Sequence, residues 1–243
     1  MRKVAAAVIA ALFFAMLMST LYQLPSADYT EGGYNYRNPI NGSYADENVP
    51  SHYIADTKDE TGATNVVTAI VVEYRGFDTL GEVTVLFTAA TGVAFLLRKM
   101  KVRSGKKKTE ANLILREGSK LVLPFILLAG AYIFIHGHLT PGGGFPGGSV
   151  IASGFLLMML AYPKFFMKER AVSVTESLAG ITFASIGLLG LVFATSFLQN
   201  FLPFGHVGYL VSAGIIPLIY IAVGFKVGSE LSSIIDVMKE VQK

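Results

Sequence analysis

Six long apolar runs separated by polar stretches divide this chain. They cover residues 4–24, 79–97, 121–138, 147–162, 178–201 and 207–227. The first holds 21 uncharged residues, enough at a rise of ~1.5 Å per residue to cross a hydrocarbon core of ~30 Å. Each run predicts a membrane-crossing helix, so the expected fold is all-α and polytopic with about six crossings. Residues 65–74 form a shorter apolar run of ten. That is too short to span, and it predicts a surface-lying or re-entrant helix, since irregular backbone at membrane depth must be buried in protein or line water. The break before the next crossing falls at Arg75, Gly76, Phe77 and Asp78, where Gly76 is expected to supply turning freedom. Pro217 with Gly214 is expected to kink the sixth helix. The tail from Gly228 mixes Glu230, Asp236, Lys239, Glu240 and Lys243 with apolar residues, the pattern of a short amphipathic surface helix.

The polar stretches give the orientation. Residues 98–108 hold seven cations, Arg98, Lys99, Lys101, Arg103, Lys106, Lys107 and Lys108, and Lys164, Lys168 and Arg170 follow the fourth run. Residues 25–62 carry seven acids against Arg37 and Lys58. Alternating six crossings puts every basic loop on one face and the acidic loop on the other. The positive-inside rule then makes both termini cytoplasmic. A cleaved signal peptide competes for residues 4–24, but the length of the run favours a retained helix. The acidic stretch reads as a long structureless loop, which is functional or disordered unless something covers it; another protein is the simplest cover.

Composition agrees: 52% of residues are apolar and 15% charged, outside the soluble range. With no cysteine, disulfides, thiolate metal sites and cysteine nucleophiles are excluded. A net charge of +3 is too small to imply a nucleic-acid partner, and the basic loop between two apolar runs is a topology signal.

Candidate chemistry concentrates at Glu73, Arg75, Asp78 and Glu82, at the mouth of the second crossing. Ionisable groups there are costly unless they pair or face water, so they are functional candidates by default. Two readings of Glu82 stand. Thr79-Leu-Gly-Glu82 has capping-box spacing, and Glu82 with Asp78 can equally accept a proton or cation in a watered cavity. Asp78 can also cap the helix. Arg75 either holds a carboxylate by a bidentate pair or makes a structural ion pair with Glu73 or Asp78. Glu176 in Ser173-Val-Thr-Glu176 reads as another cap.

Pro141-Gly-Gly-Gly-Phe-Pro-Gly-Gly148 lacks the Lys-Ser/Thr of a phosphate loop. It reads as a tight turn into a crossing whose Gly144, Gly148, Ala152 and Ser153 allow close helix contact. His136 and His138 lack the third ligand of a catalytic zinc site. They read as interfacial histidines bonded to backbone, with a proton relay as the open alternative. No metal site, cofactor site or catalytic triad stands out, so no enzyme chemistry is expected within the chain.

These residues carry a resemblance. NVVTAIVVEYRGFDTLGEVTVL is similar to the end of the large A subunit of Mrp-type multisubunit cation/proton antiporters. ILREGSKLVLPFILLAGAYIFIHGHLTPGGGFPGGSVIASGFLL resembles their B subunit. The first match covers about residues 1–100, most specifically 65–97, and the second about 111–243. Such modules also occur in archaeal membrane-bound hydrogenase and sulfane reductase complexes, and their fusion in one chain departs from the usual antiporter. The resemblance implies two modules, 1–110 and 111–243, in a multi-pass protein of the cell membrane. It gives the acid of Gly81-Glu82 a role in moving Na+ or H+, with Asp78, Arg75 and Glu73 beside it. The implied partners are other Mrp-type membrane subunits and peripheral hydrogenase- or reductase-like iron–sulfur subunits. The B-like half shows no acid buried mid-helix and is expected to pack and position its neighbours. The leading expectation is therefore a subunit of an ion-translocating complex, by resemblance the redox-driven kind; the alternative is a purely structural subunit bridging a peripheral redox module to ion-pumping subunits. A stand-alone transporter is disfavoured, because no inverted repeat is evident.

Overall fold

The computed structural model describes residues 49–98 and 111–241, the backbone of 26–30 and 33–37, and Phe14, Ala15 and Met18. The first expected crossing and the basic loop beyond Arg98 lie outside the described residues, those three positions apart. Two units are distinguished, 1–55 and 56–243.

In the first unit, β1 (Ser26–Thr30) pairs antiparallel with β2 (Gly33–Arg37), with Tyr29 opposite Tyr34. Tyr and Thr favour the extended backbone, so part of the acidic stretch expected to be structureless is a hairpin. Helix α1 (Val49–Thr61) occupies more of it, with Pro50 in the first turn, where its missing N–H is harmless. Gly62, at φ +68, ends α1 and donates its N–H to Lys58 O at 3.1 Å. This is the usual role of a left-handed residue after a helix.

The second unit holds the membrane helices. A short helix, α2 (Val66–Ala69), is capped by the Asn65 side chain and runs into a π turn, Ile70–Tyr74. Then come α3 (Gly76–Arg98), α4 (Leu113–Ile135), α5 (Gly144–Ala161), α6 (Glu169–Phe193) and α7 (Ile216–Val241). All five are long and apolar enough to cross a membrane, and the protein is a multi-pass, all-α membrane protein apart from the hairpin. Helix α7 is central, packing on α3, α4, α5 and α6.

Small residues allow that packing. A Cβ on Gly147 would lie 2.7 Å from Gly130 O of α4, and one on Gly148 would lie 2.7 Å from Gly224 O of α7. The backbones of three helices therefore meet at these two glycines. Ser153, expected in the same seam, is exposed instead and donates to Ser149 O.

Three expected boundaries move. Helix α7 starts at Ile216, so Pro217 sits in its first turn and produces no kink. The residues expected to form an amphipathic surface tail continue α7 without a break, with Glu230 and Ser232 buried. Helix α6 starts at Glu169, which places Glu176 inside it and removes the capping-box reading.

Candidate ion-translocation site

The short segment 65–74 is pinned at its start. Thr64 and Asn65 N–H groups both donate to His138 O at 3.1 Å, and Asn65 Nδ2 donates to Gly137 O at 2.9 Å. Thr68 Oγ1 donates to the same Gly137 carbonyl at 2.6 Å and accepts from Tyr220 Oη at 3.0 Å. Thr68, Ala69 and Val72 are buried while Val67 is exposed, so the segment packs one side against the protein.

The π turn sets the next residues. It closes with Arg75 N–H on Ile70 O at 2.8 Å, and Thr79 Oγ1 donates to Val71 O at 2.6 Å. Thr79 is thus interior to α3, and the capping box with Glu82 does not form. Nor does Gly76 act through backbone freedom. Arg75 carries the break, at φ −129 and ψ 42, and Gly76 is needed for space, because a Cβ there would stand 3.0 Å from Leu198 Cδ1.

The four candidate charges fall in three places. Arg75 Nε pairs with Asp78 Oδ2 at 2.8 Å, both exposed, and such a pair contributes at most about 1 kcal/mol. Glu73 turns the other way and is hydrogen-bonded by the side chain and backbone N–H of Asn200. Its Oε2 is buried without a partner among the described residues. Burial, opposed by the Asn200 bonds and reinforced by Glu60, pushes the Glu73 carboxyl up to about 7. Glu60 itself accepts from Tyr74 Oη at 2.6 Å.

Glu82 is exposed on α3 and lines an open groove of about 710 Å³ with Val85, Leu86, Ala89 and Phe145. Among the described residues it makes no ion pair or hydrogen bond. Only 6% of the most apolar stretch of α3 is buried, so this carboxylate sits bare on the uncovered side of a lipid-length helix. Phe145 belongs to the glycine-rich turn and start of α5, and thus brings the B-like half to the Glu82 groove.

The two histidines diverge. His136 ends α4, stacks on Tyr132 at 4.1 Å and has Nδ1 3.2 Å from Tyr132 O. His138 is fully buried, its Nε2 lies 3.4 Å from Tyr209 O, and Nδ1 has no partner among the described residues. Burial pushes its imidazole below the usual range. The two rings thus make separate backbone contacts, His136 with Tyr132 O and His138 with Tyr209 O.

Sequence reasoning passed over Asn200. Its Oδ1 accepts from Leu202 N–H at 3.1 Å and Ile215 N–H at 3.2 Å, and Nδ2 donates to Ala213 O at 3.2 Å. It anchors the loop between α6 and α7 to Glu73. An Asn in a cation-free turn gave no hint of this, because the partners are distant in sequence.

A family model described as a domain related to the MnhB subunit of the Na+/H+ antiporter matches residues 114–233. One described as the E subunit of MBH matches residues 39–111. A chain in the structure of the membrane-bound sulfane sulfur reductase, an archaeal respiratory membrane complex, is 43% identical with a TM-score of 0.71, covering 98% of both chains. The chain belongs to the Mrp-type family of membrane subunits. An uncharacterized protein of Methanocaldococcus jannaschii is 28% identical over 91% of this chain and 87% of its own length. A probable K+/H+ antiporter A/B subunit of Rhizobium meliloti is 31% identical over 59% of this chain but only 16% of its own. A chain of the Mrp complex from Dietzia sp., 22% identical with a TM-score of 0.67, shares the fold over 98% of this chain and 26% of that one. This is a membrane subunit of Mrp-type antiporter-like complexes.

Proposed function

We propose that the chain is a non-catalytic subunit of a redox-driven ion pump of the sulfane reductase or hydrogenase type, in which Glu82 carries Na+ or H+. The observation that carries the reading is the bare Glu82 carboxylate on the uncovered side of α3, facing an open groove. A charge cannot face hydrocarbon there without a large penalty, so a neighbouring Mrp-type subunit covers the groove and completes a polar path. The near full-length match to a sulfane reductase chain supports this. In this reading Arg75 holds Asp78 beside the entrance, and Glu73 is the protonatable group on the other side of the short segment. Two modules, 1–110 and 111–243, meet at the Glu82 groove, both termini are cytoplasmic, and peripheral iron–sulfur subunits supply the redox energy.

Glu82→Gln keeps the side chain's shape and removes its charge. In inverted vesicles carrying the whole complex, coupled Na+ movement should be lost while the purified complex keeps all its subunits. Normal coupling in Glu82→Gln and in Asp78→Asn would refute the carrier role and favour the bridging reading.

A further inference from the structure

Near the middle of α7, Lys226 Nζ donates to Glu230 Oε1 at 2.5 Å. Glu230 is 1% exposed, and its Oε2 is buried without a donor among the described residues. Facing Glu230 from α6, within hydrogen-bonding reach, is the carboxyl of Glu176. The Lys226 ammonium stands 5.0 Å from the centroid of the Phe87 ring of α3. Beside it is Gly180 of α6, where a Cβ would come 3.9 Å from Nζ. Cation–ring attraction adds to holding Lys226 at this three-helix junction.

Among the described residues Lys226 is the one cation paired with the cluster, and Lys168, at the start of α6, lines a cavity with Thr175 and Ser229 without an ion pair to either carboxyl. Ser229 and Ser232 donate to backbone carbonyls of their own helix, Lys226 O and Gly228 O. Helix α5, packed along α7, has no titratable side chain. On α4, Lys120 pairs with Glu117 at 3.1 Å, and Arg116 lies over the Tyr162 ring. On α3, Glu82 is felt at Tyr220, higher on α7.

Two carboxylates and one ammonium leave a net negative charge inside a lipid-length bundle. Burying it unpaired is costly, and adjacent carboxylates do not both remain ionised. A metal cation would have to lie beside the Lys226 ammonium. One proton removes the charge and at the same time supplies the donor missing between the carboxyls. We infer that Glu176, Lys226 and Glu230 form a proton-binding site in which a single proton is shared between the two carboxyls. The site stands apart from Glu82 and does not depend on the role given to it.

The test is infrared spectroscopy of the intact purified complex at neutral pH, reading the C=O stretch of protonated carboxyls in H2O and D2O. Glu176→Gln and Glu230→Gln should each remove one protonated carboxyl relative to wild type, and Glu82→Gln should leave that band in place. Lys226→Met should add one, because the pair then needs two protons to be neutral. An unchanged band in the assembled Glu176→Gln complex overturns the inference, as does a band lost only in Glu82→Gln. If Glu230→Gln fails to assemble, Glu176→Gln alone decides, since Glu176 is only half-buried.

Discussion

The Glu73 carboxyl gives the most direct quantitative test. Its rise from the ordinary 4.5 to about 7, at ~1.4 kcal/mol per tenfold change in proton affinity, sets a ceiling of about 3 kcal/mol. Residual solvent contact reduces this to about 1–2 kcal/mol. The sign follows from the raised folded value: the stabilisation is complete below 4.5 and is lost as the pH rises to about 7, beyond which there is no further change. Glu73→Gln should keep an Asn200 hydrogen bond and abolish this dependence. The assay is hydrogen exchange of the Leu202 and Ile215 amides, which Asn200 Oδ1 holds, corrected for intrinsic rates. Between pH 4.5 and 8 the wild type should lose about 5- to 30-fold protection there, relative to a flat Glu73→Gln profile. Parallel profiles for the two proteins would refute the argument that burial, rather than the Asn200 bonds, dominates at Glu73.

Two further expectations follow from the packing. Gly148→Val drives a side chain against Gly224 O and Gly228 N, where only backbone can yield. A cost of about 1–3 kcal/mol or more should appear as loss of the chain from the purified complex, whereas Gly92→Ala, at a position with nothing nearby, should assemble normally. His138→Gln should remove an acid sensitivity, because an imidazole held below its usual range loses stability as the pH falls through it. His136→Gln should not, and melting of the complex at pH 5 and 7.5 separates the two.

The helices were legible because lipid imposes length and composition, and those are written in consecutive residues. Their ends were less so. The apolar run of 178–201 includes residues beyond Phe193 that form a turn, with Leu198 at φ 65 packed under Gly76. Apolarity cannot distinguish a helix from a buried loop. Glu82 stands out as a candidate because its motif is local, but its environment was not legible, because exposure of α3 depends on which helices pack around α7. The cluster at Glu230 was misread for a related reason. Acids after Gly228 resemble a surface tail if the crossing is assumed to end at Val227. The spacing of Lys226 and Glu230, one turn apart on a helix, was the available signal for an internal pair. Glu176, on another helix, could join it only in three dimensions.

Helix α7 thus separates two kinds of acid. Glu82 lies on helix α3, exposed and without a hydrogen bond or ion pair among the described residues. Glu230 lies within α7 itself, paired to Lys226 and facing Glu176. Groups whose counter-charge comes from within a chain are fixed when that chain folds, whereas a group left bare has its charge state set by what docks against it. On the two readings proposed above, ion handling at the α3 face depends on assembly, whereas the α6–α7 junction is a self-contained proton store. The same division explains why substitutions at Glu82 should spare the fold, while loss of Lys226 should alter the protonation of Glu176 and Glu230 whether or not a neighbour is bound.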